Sequence, residues 1–160
     1  MTDLLLFRHA TAAPADPEEV ARYGPAGADA RRGLTPKGRR RFKRFVEELE
    51  DEGAAVDVVV HSPWRRATET AELLVPLNRG RTEVVGGLAE PPGPALDAAL
   101  VGARIAVVGH EPWLSELLSR LAGAPVGLVR WRKGGLVWLQ RPGPDAPWQI
   151  ASIRSPRKEG

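Results

Sequence analysis

Three apolar runs stand out along the chain because they are continuous rather than alternating: Leu4-Leu5-Leu6-Phe7, Val58-Val59-Val60 and Ile105-Ala106-Val107-Val108. A strand with water on one face alternates apolar and polar residues, so unbroken runs predict strands covered on both faces, as in a parallel sheet flanked by helices. The strands fall at Asp3 to Phe7, Asp57 to His61 and Arg104 to Val108, with a shorter one near Thr82 to Val85. Between them the spacing changes to that of helices. Phe42, Phe45, Val46 and Leu49 recur at i, i+3, i+4 and i+7 behind Thr35-Pro36, which reads as N-cap and first helical residue of a helix ending near Gly53. A second helix opens at Ser62-Pro63, carries Trp64, Ala67, Ala71 and Leu74 along one stripe, and stops at Pro76. A third starts at Glu111-Pro112 with Leu114, Leu117, Leu118 and Leu121 facing inward, and Asp97 to Val101 reads as a short helix.

Two stretches break this rhythm. Pro14, Pro17, Gly24, Pro25 and Gly27 predict a long loop after the first strand, with a short helix over Pro17 to Tyr23. Near the end, Gly135 to Gln140 and Trp148 to Ile153 flank a Pro-Gly-Pro turn and predict an antiparallel hairpin at a sheet edge. The expected fold is therefore a three-layer α/β domain over residues 1–153, with a mostly parallel sheet, helices on both faces and an antiparallel edge strand. Residues 154–160 read as a frayed tail.

Length and composition narrow the class. A chain of 160 residues with 42% hydrophobic and 27% charged content suits one globular domain. With no cysteine, disulfides, thiolate nucleophiles and zinc–thiolate sites are excluded. The four-residue apolar run near the start lies between Asp3 and Arg8 and is too short for a signal peptide or membrane span, so the expectation is a cytoplasmic protein with no membrane partner. Basic residues cluster between Arg31 and Arg44, but Glu47, Glu48, Glu50, Asp51 and Glu52 follow directly, with Lys43 and Glu47, and Arg44 and Glu48, at i,i+4 spacing. That arrangement reads as a solvated, ion-paired helix face, and no nucleic-acid partner is expected.

The candidate chemistry sits at the strand ends. The chain has three histidines, His9, His61 and His110, each directly after an apolar run. Strand ends of a parallel-type sheet open into one crevice, where ligands bind. Arg8 precedes His9, Arg65 and Arg66 follow His61, and cationic side chains attract phosphate. There is no G-x-x-x-x-G-K-[ST] loop and no G-x-G-x-x-G after a strand, which argues against nucleotide binding. The histidines lack H-x-H and H-E-x-x-H spacing, so neither a metal nor another cofactor is expected. With no G-x-S-x-G elbow, histidine is the natural nucleophile. Imidazole attacks phosphorus through a neutral nitrogen, and nearby arginines disfavour its protonated form.

These residues carry a resemblance. Arg8-His9-Ala10-Thr11-Ala12 resembles the R-H-[GA]-x-A signature of the histidine phosphatase superfamily, the phosphoglycerate-mutase-like enzymes. Asp29, Arg32, Leu34, Thr35 and Gly38 resemble a second pattern, D-x-x-R-x-L-T-x-x-G; Ser62-Pro63-Trp64-Arg65-Arg66-Ala67-Thr68-Glu69-Thr70-Ala71 resembles S-P-x-x-R-A-x-x-T-A; and Gly109-His110-Glu111-Pro112 resembles G-H-x-P. The short length, Ala10 in place of the commoner glycine, and the second pattern are similar to SixA-type phosphohistidine phosphatases. The resemblance implies a phosphoglycerate-mutase-like fold, a phosphohistidine intermediate on His9, and a phosphate pocket of Arg8, His9, Arg66 and His110. It leaves Arg65 exposed and gives His61 no role beyond that of a neighbour.

The substrate then turns on a general acid. An alkoxide leaving group needs one, whereas the nitrogen of a phosphohistidine leaves readily once protonated. Glu90, in the Pro-rich Leu88-Ala89-Glu90-Pro91-Pro92-Gly93, is the candidate acid, as relatives acting on phosphate esters supply a glutamate from this region. The leading expectation is a metal-independent phosphatase acting on a phosphohistidine protein. The alternatives are a small-molecule phosphomonoesterase with Glu90 as acid and a non-catalytic module that binds phosphate.

Overall fold

In the computed structural model, which describes residues 1–158, six strands form one mixed sheet. The strands are β1 (Thr2–Arg8), β2 (Val56–His61), β3 (Asn78–Val84), β4 (Arg104–Gly109), β5 (Leu136–Arg141) and β6 (Gln149–Arg154). Their order across the sheet is β3-β2-β4-β1-β5-β6. The first four run parallel; β5 is antiparallel to β1, and β6 antiparallel to β5, so the C-terminal hairpin extends one edge as expected.

The continuous apolar runs reflect a sheet with a core on each face. Leu5, Phe7, Ala106 and Val108 point to one side, against Phe42, Phe45, Val46 and Leu49 of α2 (Pro36–Asp51) and Ala67 and Ala71 of α3 (Arg65–Leu73). Leu4, Leu6, Ile105 and Val107 point to the other, against Leu96 of α4 (Pro94–Ala99) and Leu114, Leu117 and Leu118 of α5 (Trp113–Ala122). The period-two alternation of a strand distributes one run between two layers of helices. Among the described residues no helix is long and apolar enough to cross a membrane.

The largest departure from the sequence reading is α1 (Pro17–Ala30), which fills most of the expected loop. Asp16 caps it by accepting from the Glu18 N–H, Gly24 breaks it with φ 77°, and a second helical segment follows from Pro25. Proline is tolerated in the first turn of a helix, so Pro25 restarts the helix where it reads as a breaker. Helix α3 begins at Arg65 rather than at the Ser-Pro pair, which leaves Trp64 outside the core stripe. Strand β3 starts earlier than expected, and α4 spans Pro94–Ala99 instead of Asp97 to Val101.

The second core helix is tied to the loop after β1 by close contact. Thr35 caps α2 by accepting from the Gly38 N–H, and its own N–H donates to the Thr11 carbonyl at 3.0 Å. A Cβ on Gly38 would lie 2.5 Å from that carbonyl oxygen, so only glycine permits the approach.

Ion pairs from α2 reach other elements, Arg39 pairing with Glu69 and Glu48 with Arg157, while Arg32 pairs locally with Asp29. The last strand takes in Arg154, one residue past the expected domain end, where it pairs with Glu52. Within the expected tail, the Arg157 carbonyl accepts from Arg41 Nε, while residues 159–160 lie outside the described residues.

Candidate active site

Strand register brings the site together. Strands β1 and β4 are parallel neighbours with Arg8 opposite Gly109, so the next residues of each, His9 and His110, leave the sheet side by side. Their rings lie 5.2 Å apart, and the His9 N–H donates to the Gly109 carbonyl. Strand β2 pairs with β4 on its other side, and the Ser62 N–H donates to the Val108 carbonyl, which anchors the turn into α3 beside them. Thr70 of α3 joins the two halves: its hydroxyl accepts from the Ala10 N–H at 3.0 Å and donates to the Arg66 carbonyl at 2.7 Å.

These elements frame a cleft of about 390 Å³ lined by Arg8, His9, Asp29, Arg32, Trp64, Arg66, His110, Glu111, Trp113 and Lys133. Arg8, His9, Arg66 and His110, the expected phosphate pocket, all line it. Arg66 is buried; its terminal nitrogens donate to the Asp29 carbonyl at 2.6 Å and to Asp29 Oδ2 at 3.3 Å, and its guanidinium lies 4.7 Å from the centroid of the Trp64 ring. One terminal nitrogen of Arg8 donates to the Trp131 carbonyl at 2.8 Å, and Arg8 Nε is buried with no partner among the described residues.

The protonation of His9 follows from its surroundings. A carbonyl oxygen only accepts, so the 2.7 Å contact from His9 Nδ1 to the Ala10 carbonyl places the proton on Nδ1 and the lone pair on Nε2. Burial pushes the imidazole down to about 3; the Ala10 hydrogen bond opposes this, and His110, Arg66 and Arg8 reinforce it. Burial likewise pushes His110 down to about 4, with help from the charge of Arg66. Both rings are therefore neutral at physiological pH, in a cleft that carries several fixed positive charges.

The carboxylates of the cleft are already engaged. Burial works to raise the Asp29 carboxyl, but the Arg32 hydrogen bond and the Arg66 charge outweigh it and hold the group below its ordinary value. Glu111 accepts from the Ser115 N–H through one oxygen and from the Ser115 hydroxyl through the other, which caps the first turn of α5. Glu90 lies elsewhere. It is exposed and borders a separate cavity of about 10 Å³, walled by Leu88, Leu96, Leu114 and Leu117, which meets the cleft only at His110 and Trp113.

His61 is buried with Nδ1 donating to the Ser62 carbonyl, and does not line the cleft; Arg65 is exposed and pairs with Glu69. Residues without a role in the sequence reading do contribute. Asp29 orients Arg66, and Ser62 contacts His110 Nε2 at 2.7 Å. Trp64, expected in the core, and Trp113 form a cleft wall around His110, with ring centroids 4.6 and 6.1 Å from it. Asp29 and Ser62 occupy fixed positions of the resembling motifs, which was the signal that could have flagged them. Among the described residues no group of three His, Cys, Asp or Glu side chains is arranged to hold a metal ion.

Comparison with known proteins places this geometry. A family model described as the histidine phosphatase superfamily (branch 1) matches residues 4–91. An uncharacterised protein from Picosynechococcus sp. is 32% identical over 149 residues, covering 86% of this chain and 84% of that protein. The solved structure of a protein from Agrobacterium tumefaciens described as a candidate phosphohistidine phosphatase SixA superposes with a TM-score of 0.76 at 21% identity, covering 97% of this chain and 98% of that one. A protein histidine phosphatase SixA complexed with tungstate gives a TM-score of 0.76 at 19% identity, with 97% of each chain covered. At these identities the structural likeness establishes a shared fold.

Proposed function

This chain belongs to the histidine phosphatase superfamily, and from that premise we propose that it is a metal-independent phosphatase that works through a phosphohistidine on His9 and acts on protein-borne phosphohistidine. His9 Nε2 attacks phosphorus, forming one P–N bond as the P–N bond to the substrate imidazole breaks. The departing nitrogen takes its proton from solvent. Water then attacks the phosphorus of the enzyme intermediate, its P–Nε2 bond breaks, and inorganic phosphate leaves. Arg8, Arg66 and His110 surround the equatorial oxygens, and preorganised charge of this kind supplies most of the rate enhancement in phosphoryl transfer.

The observation that carries the reading is the His9 Nδ1–H bond to the Ala10 carbonyl, which leaves an unprotonated Nε2 among Arg8, Arg66 and His110. The substrate class rests on the carboxylates. Asp29 is bound to two arginines, Glu111 is bound to Ser115, and Glu90 does not line the cleft. An imidazole, whose conjugate acid has a pKa of about 6.5, needs little help to leave, whereas an alkoxide needs a proton donor. The ester reading requires Glu90 to reach the cleft.

Side-by-side turnover of a phosphohistidine protein and a panel of small phosphate esters tests the assignment. The expected result is a kcat/KM preference for phosphohistidine over alkyl esters on the order of 100-fold, the lower range of what a general acid contributes. Equal or faster turnover of alkyl esters would favour the phosphomonoesterase reading instead.

A further inference from the structure

We propose that Ser62 is a positioning residue that fixes the tautomer of His110, so that His9 and His110 meet the phosphate in opposite roles, one offering a lone pair and the other an N–H. The inference rests on the phosphatase reading for its purpose, but not for its geometry.

Ser62 is fully buried. Its Oγ accepts from the Trp64 N–H at 3.2 Å and lies 2.7 Å from His110 Nε2. A serine hydroxyl has one proton to donate and two lone pairs. A neutral imidazole has one proton to place, so the contact has two arrangements.

If Nε2 carried the proton it would donate to Ser62 Oγ. The serine proton would then lack any acceptor described for it, and His110 Nδ1, buried with no partner among the described residues, would carry a bare lone pair on a ring that lines the cleft. A lone pair there repels phosphate oxygens. In the other arrangement the serine hydroxyl donates to Nε2 while accepting from Trp64, and every group at Ser62 is satisfied. The imidazole proton then sits on Nδ1, and the one group of the Ser62–His110 pair still awaiting a partner is an N–H donor. Leaving a buried polar group unsatisfied costs free energy, so the second arrangement wins by removing one such group. An equatorial phosphate oxygen is the acceptor that completes it.

The backbone makes this contact durable. Ser62 donates its N–H to the Val108 carbonyl, two residues before His110, and the following Pro63 restricts Ser62 to extended conformations. Trp64 and Trp113 pack against the His110 ring and against each other. His9 uses the reverse solution: its Nδ1–H goes to the Ala10 carbonyl, and Nε2 is left as the nucleophile. One ring is fixed through its own loop, the other through the serine that follows the neighbouring strand.

Long-range proton–nitrogen NMR of the nitrogen-15-labelled protein, which has three histidines to assign, reads both tautomers without any substrate. The expected wild-type pattern is Nδ1–H on both His9 and His110. In Ser62→Ala, His110 should shift to a mixture of tautomers or to Nε2–H while His9 stays unchanged, and inorganic phosphate should bind more weakly. The kcat loss should be on the order of 10-fold to 100-fold, as for other groups that orient a functional histidine from behind. Ser62→Cys, nearly isosteric and a weaker donor, should fall between the two and serves if the alanine variant does not fold. A wild-type His110 protonated on Nε2, or variants that keep the wild-type His110 tautomer, would overturn the proposal. Absence of phosphatase activity alongside an Nδ1-protonated His110 would instead refute the phosphatase reading and leave the Ser62 assignment standing.

Discussion

The imidazole of His9 lies 5.2 Å from that of His110, and burial holds both rings neutral, at about 3 and about 4 respectively. A nucleophilic histidine with an ordinary pKa of about 6.5 would lose activity as pH falls through that value. Here protonation sets in only below pH 5, so the active neutral form persists through pH 5 and 6. The acid limb of kcat/KM, which reports groups of the free enzyme, should accordingly fall below pH 5 when measured with an acid-stable aryl phosphate and corrected for substrate ionisation. An acid limb centred between pH 6 and 7 would show that His9 is not held in this way.

Arg66 depends on Asp29 for its direction, because both of its terminal nitrogens donate to that residue. Arg66→Lys keeps the charge but loses the planar fork, and should lower kcat/KM on the order of 100-fold. Asp29→Asn keeps the carbonyl contact and weakens only the carboxylate one, so its loss should be smaller, about 10-fold. Steady-state kinetics of the two variants checks the ranking, and an Asp29→Asn effect equal to that of Arg66→Lys would contradict it.

Glu90 is exposed and outside the cleft lining. Glu90→Gln should therefore leave phosphohistidine turnover within about 3-fold of wild type, since general-acid removal costs far more. If ester hydrolysis collapsed in this variant while phosphohistidine turnover survived, Glu90 would be the acid of the ester reading.

Gly38 packs against the Thr11 carbonyl so closely that an added Cβ would come within 2.5 Å of it. Gly38→Ala should destabilise the fold by about 1–3 kcal/mol, the usual cost of overpacking. For a chain of this size that is a fall of about 2–4 °C in Tm per kcal/mol. An unchanged Tm would mean that the loop after β1 moves freely.

Much of this architecture was legible before any coordinates. Continuous apolar runs marked the strands, and Arg8 and His9 after the first run, Arg66 after the second and His110 after the third line one cleft, because strand ends in a parallel sheet share one rim. The misreadings have physical causes. Gly24 and Pro25 look like loop residues, yet proline suits a helix start, and the glycine supplies only the kink between two segments. Trp64 fits the apolar stripe of α3, but the helix begins one residue later and frees the indole for the cleft. The functions of Asp29 and Ser62 rest on contacts 37 and 48 residues away in sequence. The motifs mark both positions, but which partner each one holds is set by the fold.

The central claim is that His9 becomes phosphorylated, and rapid-quench trapping with a radiolabelled phosphohistidine protein tests it most directly. The account predicts an acid-labile, base-stable label on His9 that appears before phosphate release, and loss of both label and turnover in His9→Ala. Full turnover by His9→Ala, or a label residing on any other side chain, would contradict it.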